Sequence, residues 1–165
     1  MAVKLLEIKR ESWPAVRLIG KKYSDAPNWG EWWEKDWFEI LEAKQCTPMN
    51  GDAYVGAVHI VDGRPERWIG MFFPADTSVP EGFEFVDIEP LDYGVCYLSG
   101  REGEGEFFTM DTHNMCLEAL RAEGFVRKED DWCFDRYNCP RYTTPDGEGN
   151  VILDYGISVM SVSGD

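Results

Sequence analysis

The sequence predicts one α+β domain in which two similar halves share a single antiparallel sheet. Three observations support this fold class. Short β-rich segments alternate with only two helical segments. The order β-β-α-β-β-β is followed by β-α-β-β, so each half places one helix beside its strands. No linker rich in Gly, Pro or Ser separates the halves, and such repetition usually gives one sheet with both helices on one face and a cleft between the halves.

The first half contains two extended segments, one helix, a hairpin and a last extended segment. Asn28 favours a helix start at Trp29, because Asn side chains cap helix N-termini well, and the helix is expected to end before Pro48. The Asp62-Gly63 dipeptide is typical of the tight turn of a β-hairpin. The predicted elements are extended segments within 3–23, a helix over 29–43, hairpin strands over 53–61 and 66–73, and an extended segment over 83–90.

The second half repeats this pattern with a strand, a helix and two more strands. Its helix turns Leu117 and Leu120 inward, and Gly124 supplies the stop, since glycine readily adopts the left-handed conformation that follows a helix. A Pro-Asp-Gly turn at 145–147 precedes the last strand. The predicted elements are a strand over 92–100, a helix over 109–123, and strands over 132–137 and 151–162.

Length and charge constrain the domain organisation and the ligand. The 165 residues suit one domain over 1–165, with pseudo-repeats at about 1–90 and 91–162. Acidic residues number 31 against 16 basic residues, which gives a formal net charge of −15. Phosphate binding needs clusters of Lys and Arg, and the sequence has none. We therefore expect no nucleic-acid or membrane partner, and a ligand that is neutral or cationic.

Apolar runs, cysteines and histidines predict the compartment and argue against a metal centre. No apolar run approaches the roughly 20 residues of a membrane span, and the first residues lack the pattern of a secretory signal, so the chain is predicted to be cytoplasmic. The cysteines show no close paired spacing, which argues against a disulfide framework. His59 and His113 are the only histidines. A zinc site needs four ligands in a tight pattern, so we predict no metal and no cofactor.

The segment NWGEWWEKDWFEILE, residues 28–42, concentrates tryptophans and acids. Its tryptophans are Trp29, Trp32, Trp33 and Trp37. At about 100° per residue, the indoles of one continuous helix fall on one stripe together with Ile40 and Leu41. This stripe predicts that the indoles gather in one place, either as core or as the lining of an aromatic pocket.

Asp36 lies within this aromatic stripe, between Trp29 and Trp32. A carboxylate in that position is costly to bury unless it is paired. Two interpretations remain open. Asp36 lies at the rim or caps a neighbouring strand, or it points into a cavity where a cation would gain charge pairing and cation–π contacts. Glu34, at the edge of the stripe, is a second candidate acid.

The strands add further aromatic residues and another acid. In WCFDRY, residues 132–137, alternation places Cys133, Asp135 and Tyr137 on one face of the strand. An inward acid flanked by aromatics indicates a site more often than a core, so Asp135 is a candidate functional acid. Aromatic residues on the other strands include Trp68, Phe72, Phe73, Tyr93 and Tyr97.

These segments resemble the GyrI-like effector-binding family. Its members include the ligand-binding domains of multidrug-responsive transcription regulators and stand-alone drug-binding proteins, some of them integron-associated. The resemblance spans roughly residues 3–160. It rests on the opening WPAVRLIGKKY, the acidic aromatic first helix, the hairpin ending in GMFF, the segment DYGVCYLSGREGEGEFF and the segment FDRYNCPRY before the final strand.

The resemblance implies an eight-stranded antiparallel, SOUL-like sheet built from two ββαβ-type repeats, with a pocket between them for bulky, often cationic, lipophilic compounds. In the family a buried acid, commonly Glu in an FExY-like stretch, meets the positive charge, and Asp135 takes that place here with a shorter side chain. The proline usual in the family's final strand is absent from ILDYGISV. The family's regulators also carry a helix-turn-helix domain, for which this sequence has no segment, so regulation would act through a partner or by sequestering a ligand.

We interpret the sequence as a stand-alone binding protein for bulky, lipophilic, cationic or neutral small molecules. The predicted ligand-binding residues are Trp29, Trp32, Trp33, Asp36, Trp37, Trp68, Tyr97, Asp135 and Tyr137. Two alternatives remain. A few GyrI-like proteins hydrolyse cyclopropane-bearing alkylating drugs, and such chemistry would use Asp135 and Tyr137 to position water. Alternatively, the tryptophans form a docking face for a second copy or another protein.

Overall fold

The predicted α+β class is confirmed. A computed structural model describes residues 3–43, 53–101, 107, 109–128, 132–137 and 142–160. The elements, in chain order, are β1 (Lys4–Trp13), β2 (Val16–Tyr23), α1 (Trp29–Glu34), α2 (Trp37–Glu42), β3 (Tyr54–Val61), β4 (Arg64–Pro74), β5 (Glu84–Ile88), β6 (Leu91–Arg101), α3 (Met110–Ala122), β7 (Trp132–Tyr137) and β8 (Asn150–Val159).

The eight strands of the described residues form one antiparallel sheet, in the order β1-β6-β8-β7-β3-β4-β2-β5. Two halves meet at the central pair of β3 and β7. Outward from that pair, β3, β4, β2 and β5 on one side correspond to β7, β8, β6 and β1 on the other. The expected duplication is therefore present. However, β1 precedes the first helix in sequence and yet pairs with β6 of the second repeat.

The hairpin of β3 and β4 forms where the Asp62-Gly63 dipeptide predicts it. The two strands pair directly up to this dipeptide, which leaves a two-residue loop. Both loop residues have positive φ, 52° for Asp62 and 76° for Gly63. Positive φ at both positions is the conformation of a type I′ turn, whose twist matches that of the flanking strands. The turn thereby fixes the register of β3 against β4.

The first helical segment differs from the single helix expected over 29–43. It is interrupted after Glu34, and Asp36 adopts a left-handed conformation with φ of 56° before α2 begins. Packing explains the break. In one straight helix Trp32 and Leu41 would face opposite sides, roughly 180° apart, whereas the break lets both be fully buried against the sheet. The described residues therefore contain three helices instead of the two expected.

The sheet curls so that its edge strand β1 reaches strands near the middle of the sheet across the inner face. Trp13 at the end of β1 contacts Phe72 of β4 at a ring-centroid distance of 4.8 Å, and Phe134 of β7 at 5.5 Å. The helices lie on the outer face, as expected. There α1 and α2 cover β2 and β4, while α3 covers β6 and β8. The central strands β3 and β7 thus lie beneath the gap between the two helical layers.

A buried ion cluster on the inner face joins β1, β7 and β8. Arg136 Nε donates to Asp154 Oδ2 at 2.9 Å, and its two other nitrogens donate to the carboxylate oxygens of Glu11 at 3.0 and 2.9 Å. The side chains of Arg136 and Asp154 are 2% and 0% exposed. Burial acts to raise the pKa of Glu11, but the hydrogen bonds and charge of Arg136 outweigh it, so that pKa is lowered. One guanidinium therefore pairs with two acids inside the protein.

The cysteines behave as free thiols wherever the structure describes them. Cys96 and Cys116 are buried and Cys133 is half-buried, whereas Cys46 and Cys139 lie outside the described residues. In the described ranges, no three His, Cys, Asp or Glu side chains are grouped in a way that could hold a metal ion. No helix of those ranges has the length and hydropathy that a membrane span requires.

Candidate ligand-binding site

A cavity of about 1310 Å³ opens between α1 and the start of α3, above the central strands β3 and β7. It lies at the seam where the two halves of the sheet meet. Aromatic side chains that line it include Trp29, Trp33, Tyr54, Tyr137, Tyr142 and Tyr155. Ligand pockets of a few hundred Å³ already enclose drug-sized molecules. This cavity is therefore large enough for a bulky compound of several rings.

Gly56 on β3 makes room for a carboxylate and an indole at the floor of the cavity. It pairs with Asp135 of β7 in the central strand pair. A Cβ atom at position 56 would lie 2.8 Å from Asp135 Oδ2 and 3.0 Å from Trp29 Cζ2, and both distances are too short. Glycine weakens a strand interior and often marks a place where another group approaches closely. Here those groups are a charged side chain and an aromatic ring.

Asp135 is the acid at this floor. Among the described residues, no Lys, Arg or His side chain forms an ion pair with it. The hydroxyl of Tyr137 donates a hydrogen bond to Oδ2. Burial raises the pKa of Asp135 to about 6, although the hydrogen bond from Tyr137 acts in the opposite direction. The carboxylate is therefore mostly ionised at neutral pH, in surroundings that disfavour its charge.

Aromatic rings form a wall beside this carboxylate. Trp29 contacts Tyr137 edge-on at a centroid distance of 5.4 Å, and Tyr137 contacts Tyr142 at 4.7 Å. Trp33 lies at the mouth of the cavity, 57% exposed, with its ring 5.5 Å from that of Tyr54. The faces of indole and phenol rings attract cations. The wall and the carboxylate thus favour the same ligand charge.

Helix α3 contributes a histidine to the cavity. His113 Nδ1 lies 2.7 Å from the Tyr155 hydroxyl oxygen. Burial, and then the positive charge of Arg127, lower the pKa of His113, so its ring is neutral at pH 7. Burial also raises the pKa of the Cys133 thiol to about 11, which makes it a protonated, weak nucleophile. These groups add hydrogen-bonding atoms to the cavity without adding charge at neutral pH.

Comparison with known proteins rests on structure. No protein-family model matches the sequence, and no curated protein matches it. SAV2435, solved bound to tetraphenylphosphonium, aligns with a TM-score of 0.68 over 96% of this chain and 96% of its own, at 10% sequence identity. The chain has the GyrI-like effector-binding fold. The C-terminal domain of EcmrR has the same fold, with a TM-score of 0.62 over 94% of this chain and 98% of its own, at 8% identity. An integron cassette protein of Vibrio cholerae, VCH_CASS2, aligns with a TM-score of 0.55 over 96% and 99%, at 12% identity.

Within this GyrI-like fold, some of the predicted ligand-binding residues reach the cavity. They are Trp29, Trp33, Trp68, Asp135 and Tyr137. The alternation expected along β7 holds, and it brings Asp135 and Tyr137 to the cavity side. Trp68 borders the cavity from β4, but its indole is 4% exposed and packs in the inner-face core. Its Nε1 has no hydrogen-bond partner among the described residues.

The other predicted residues lie away from the cavity. The Trp32 side chain is fully buried between α1 and the sheet. Lys21 covers Trp37, with its Nζ 4.6 Å from the ring. Asp36 is exposed at the break between α1 and α2 and does not line the cavity. Tyr97 packs against the inner-face core, on the opposite side of the sheet. The expectation that all four indoles share one pocket is therefore wrong, because the helix break turns Trp32 and Trp37 elsewhere.

Several cavity residues of the GyrI-like fold were missed by sequence reasoning. They are Tyr54, Gly56, Arg67, His113, Tyr142 and Tyr155. Gly56 carried a usable signal, because a glycine inside a predicted strand indicates close approach of another group. Alternation along the same strand would then have placed Tyr54 on the cavity side. His113 and Tyr155 carried no such signal, since they meet only through the tertiary fold.

Proposed function

We propose that this chain binds bulky lipophilic small molecules that carry a positive charge. The observation that carries this proposal is the Asp135 carboxylate. It lies at the floor of a large aromatic cavity, without a basic partner among the described residues. The cavity is open at a mouth where the exposed indole of Trp33 can meet an incoming apolar ligand.

The energetics of the site favour a cation over a neutral molecule of the same shape. A buried carboxylate without a cation costs free energy, and the raised pKa of Asp135, about 6, reflects that cost. A ligand cation would offset it by charge pairing. The same cation would also contact the faces of Trp29 and Tyr137. A neutral ligand would gain only the burial of its apolar surface.

Two further observations support this proposal. SAV2435, which has the same fold, has been solved with tetraphenylphosphonium, and that compound is a lipophilic cation. The formal net charge of this chain is −15, which attracts cations from solution. We propose that the single domain senses or sequesters drug-like compounds in the cytoplasm, alone, as a homodimer or with a protein partner, and that it does not itself bind nucleic acid.

Replacing Asp135 by Asn is expected to weaken binding of tetraphenylphosphonium by about tenfold or more, which is about 1.4 kcal/mol of binding free energy. The loss follows because the amide removes the charge but keeps the shape. Binding is measured by quenching of indole emission, to which Trp29 and Trp33 contribute from the cavity wall. Asp36→Asn is the matched control and is expected to leave the affinity unchanged, because Asp36 is exposed outside the cavity. Equal losses in the two variants would contradict the proposal.

Lowering the pH tests the same carboxylate without a substitution. Tetraphenylphosphonium keeps its charge at every pH, so only the protein titrates. With a pKa of about 6, roughly nine-tenths of the Asp135 carboxyls are protonated at pH 5, and affinity is expected to fall about tenfold from its value at pH 7.5. Protonation of His113 would act in the same direction. A wild-type affinity that stays constant over this range would argue against contact between Asp135 and the cation.

The pair of Asp135 and Tyr137 supports a second candidate function, hydrolysis of cyclopropane-bearing alkylating compounds. The Tyr137 hydroxyl orients the carboxylate, and an ionised carboxylate with a pKa of about 6 can accept a proton from water. The water oxygen would bond to a ring carbon as the strained C–C bond breaks. The proton would pass by way of Asp135 to the ligand atom that takes up the electron pair. If this function is correct, such a compound is consumed by the wild type and not by Asp135→Asn. Binding without consumption would leave only the binding function.

A further inference from the structure

Arg67 adds a second charged group to the cavity. It lies on β4, lines the cavity and is half-buried. Because side chains alternate along a strand, it shares the outer face of the sheet with Ile69 and Met71, which pack against α1 and α2. Its neighbour across the strand pair is Val58 of β3, another cavity residue. The guanidinium therefore belongs to the cavity side of the sheet and not to the inner-face core.

No acid of the described residues forms an ion pair with Arg67, although acids outnumber bases in this chain. Arg10, Arg17 and Arg136 each pair with a carboxylate. Glu42, another acid that lines the cavity, accepts a hydrogen bond from the Tyr54 hydroxyl at 3.1 Å. A guanidinium has five N–H donors in a fixed planar arrangement. No acid of the described ranges occupies these donors in Arg67, so there they can bind a ligand.

The register of the sheet keeps Arg67 and Asp135 apart. Asp135 pairs with Gly56, Gly56 pairs with Ile69, and Arg67 lies two residues from Ile69 on the same face. With strands about 4.8 Å apart and about 3.3 Å per residue, the Cα atoms of Arg67 and Asp135 are about 12 Å apart. Two opposite charges on one cavity wall, separated in this way, can contact different parts of one ligand.

We propose that the ligands of this cavity are amphoteric, with an aromatic scaffold that carries a positive group for Asp135 and a carboxylate or similar anionic oxygen for Arg67. This inference rests on the proposed function and narrows it. A guanidinium binds a carboxylate through two parallel hydrogen bonds, a geometry that specifies the ligand group. A site for simple cations gains nothing from a half-buried positive charge, which repels them. A ligand with both charges satisfies both side chains.

Rhodamine 110 and rhodamine 123 test this inference. The two dyes share a cationic xanthene ring system. Rhodamine 110 has a free carboxylate, whereas rhodamine 123 has the methyl ester in its place. Arg67→Gln is expected to weaken binding of rhodamine 110 about tenfold, or about 1.4 kcal/mol, and to change the affinity for rhodamine 123 less than about twofold. Affinities are measured by quenching of indole emission. The visible colour of bound rhodamine 110 shows that its carboxylate has not closed onto the xanthene.

Two further variants separate the two charges. Arg64→Gln, at an exposed position of the same strand, is the matched control and is expected to leave both affinities unchanged. Asp135→Asn is expected to weaken both dyes, because both carry the cationic xanthene. Arg67→Lys retains the charge and the long stem, and is expected to keep part of the preference for rhodamine 110. If Arg67→Gln does not fold, the affinities of Arg67→Lys for the two dyes still test the inference.

The outcomes distinguish this inference from the function on which it rests. If Arg67→Gln affects the two dyes equally, or neither, while Asp135→Asn weakens both, the amphoteric class is wrong and the proposed cation binding stands. If the folded wild type binds neither dye, both proposals are wrong. Selective loss of rhodamine 110 in Arg67→Gln supports the inference.

Discussion

Arg136→Met is expected to lower the free energy of unfolding by about 3–5 kcal/mol. Arg136 is the cation for both Glu11 and Asp154, and Asp154 has no exposed surface. Methionine fills a similar volume but leaves two carboxylates without their partner. Removing one member of a buried ion pair is strongly destabilising, because the remaining charge cannot regain its hydration.

Urea unfolding at pH 7, followed by indole fluorescence, measures this loss. Lys22→Met is the control, since Lys22 pairs with Glu66 at 3.9 Å while 45% and 37% of the two side chains are exposed. Exposed pairs contribute about 1 kcal/mol or less, so the control is expected to lose no more than that. Similar losses of unfolding free energy in the two variants would show that the inner-face cluster stabilises the protein no more than an exposed ion pair does.

Asp135→Asn is expected to act in the opposite direction and to raise the free energy of unfolding by about 1–3 kcal/mol at pH 7.5. Burial raises the pKa of Asp135 from 3.8 to about 6 in the folded protein. The folded state therefore favours the protonated carboxyl. The stability that the protonated Asp135 carboxyl contributes is fully present below pH 3.8 and is lost as the pH rises through 6. Asparagine is neutral at every pH and avoids that loss.

The pH dependence of stability separates this effect from a change in packing. The difference between Asp135→Asn and the wild type is expected to be largest above pH 7 and to shrink towards pH 4. Urea unfolding of both proteins across that range measures it. A difference that does not vary with pH would mean that the carboxylate charge carries no cost in the folded protein. An acid that is kept despite such a cost is consistent with the proposed ligand contact.

The parts of this fold that are set by local signals could be predicted from the sequence. The Asp62-Gly63 dipeptide requires positive φ at two successive positions, and few residue pairs adopt this readily. The alternation in WCFDRY fixes one face of β7 whatever the partner strands are, so Asp135 and Tyr137 were assigned to the correct side. Both features depend on residues that are neighbours in the chain.

The parts that depend on distant contacts could not be predicted in this way. Helical angles assume a continuous helix, and the packing of Trp32 and Leu41 against the sheet interrupts it at Asp36. The side of the sheet that a strand residue faces depends on the register of its strand. The sequence does not determine that register for β6, which carries Tyr97. Arg67 reaches the cavity only because β4 lies beside β3, which in turn lies beside β7.

The pairing of β1 with β6 has a consequence for the growing polypeptide. During translation, β2, β3, β4 and β5 can associate with one another, whereas β1 must remain alone until residues 91–101 have been made. A solitary apolar strand readily aggregates with other nascent chains. The β1 segment KLLEIKRESW carries both basic and acidic residues. Such charges favour hydration of the strand and oppose its premature association with other chains.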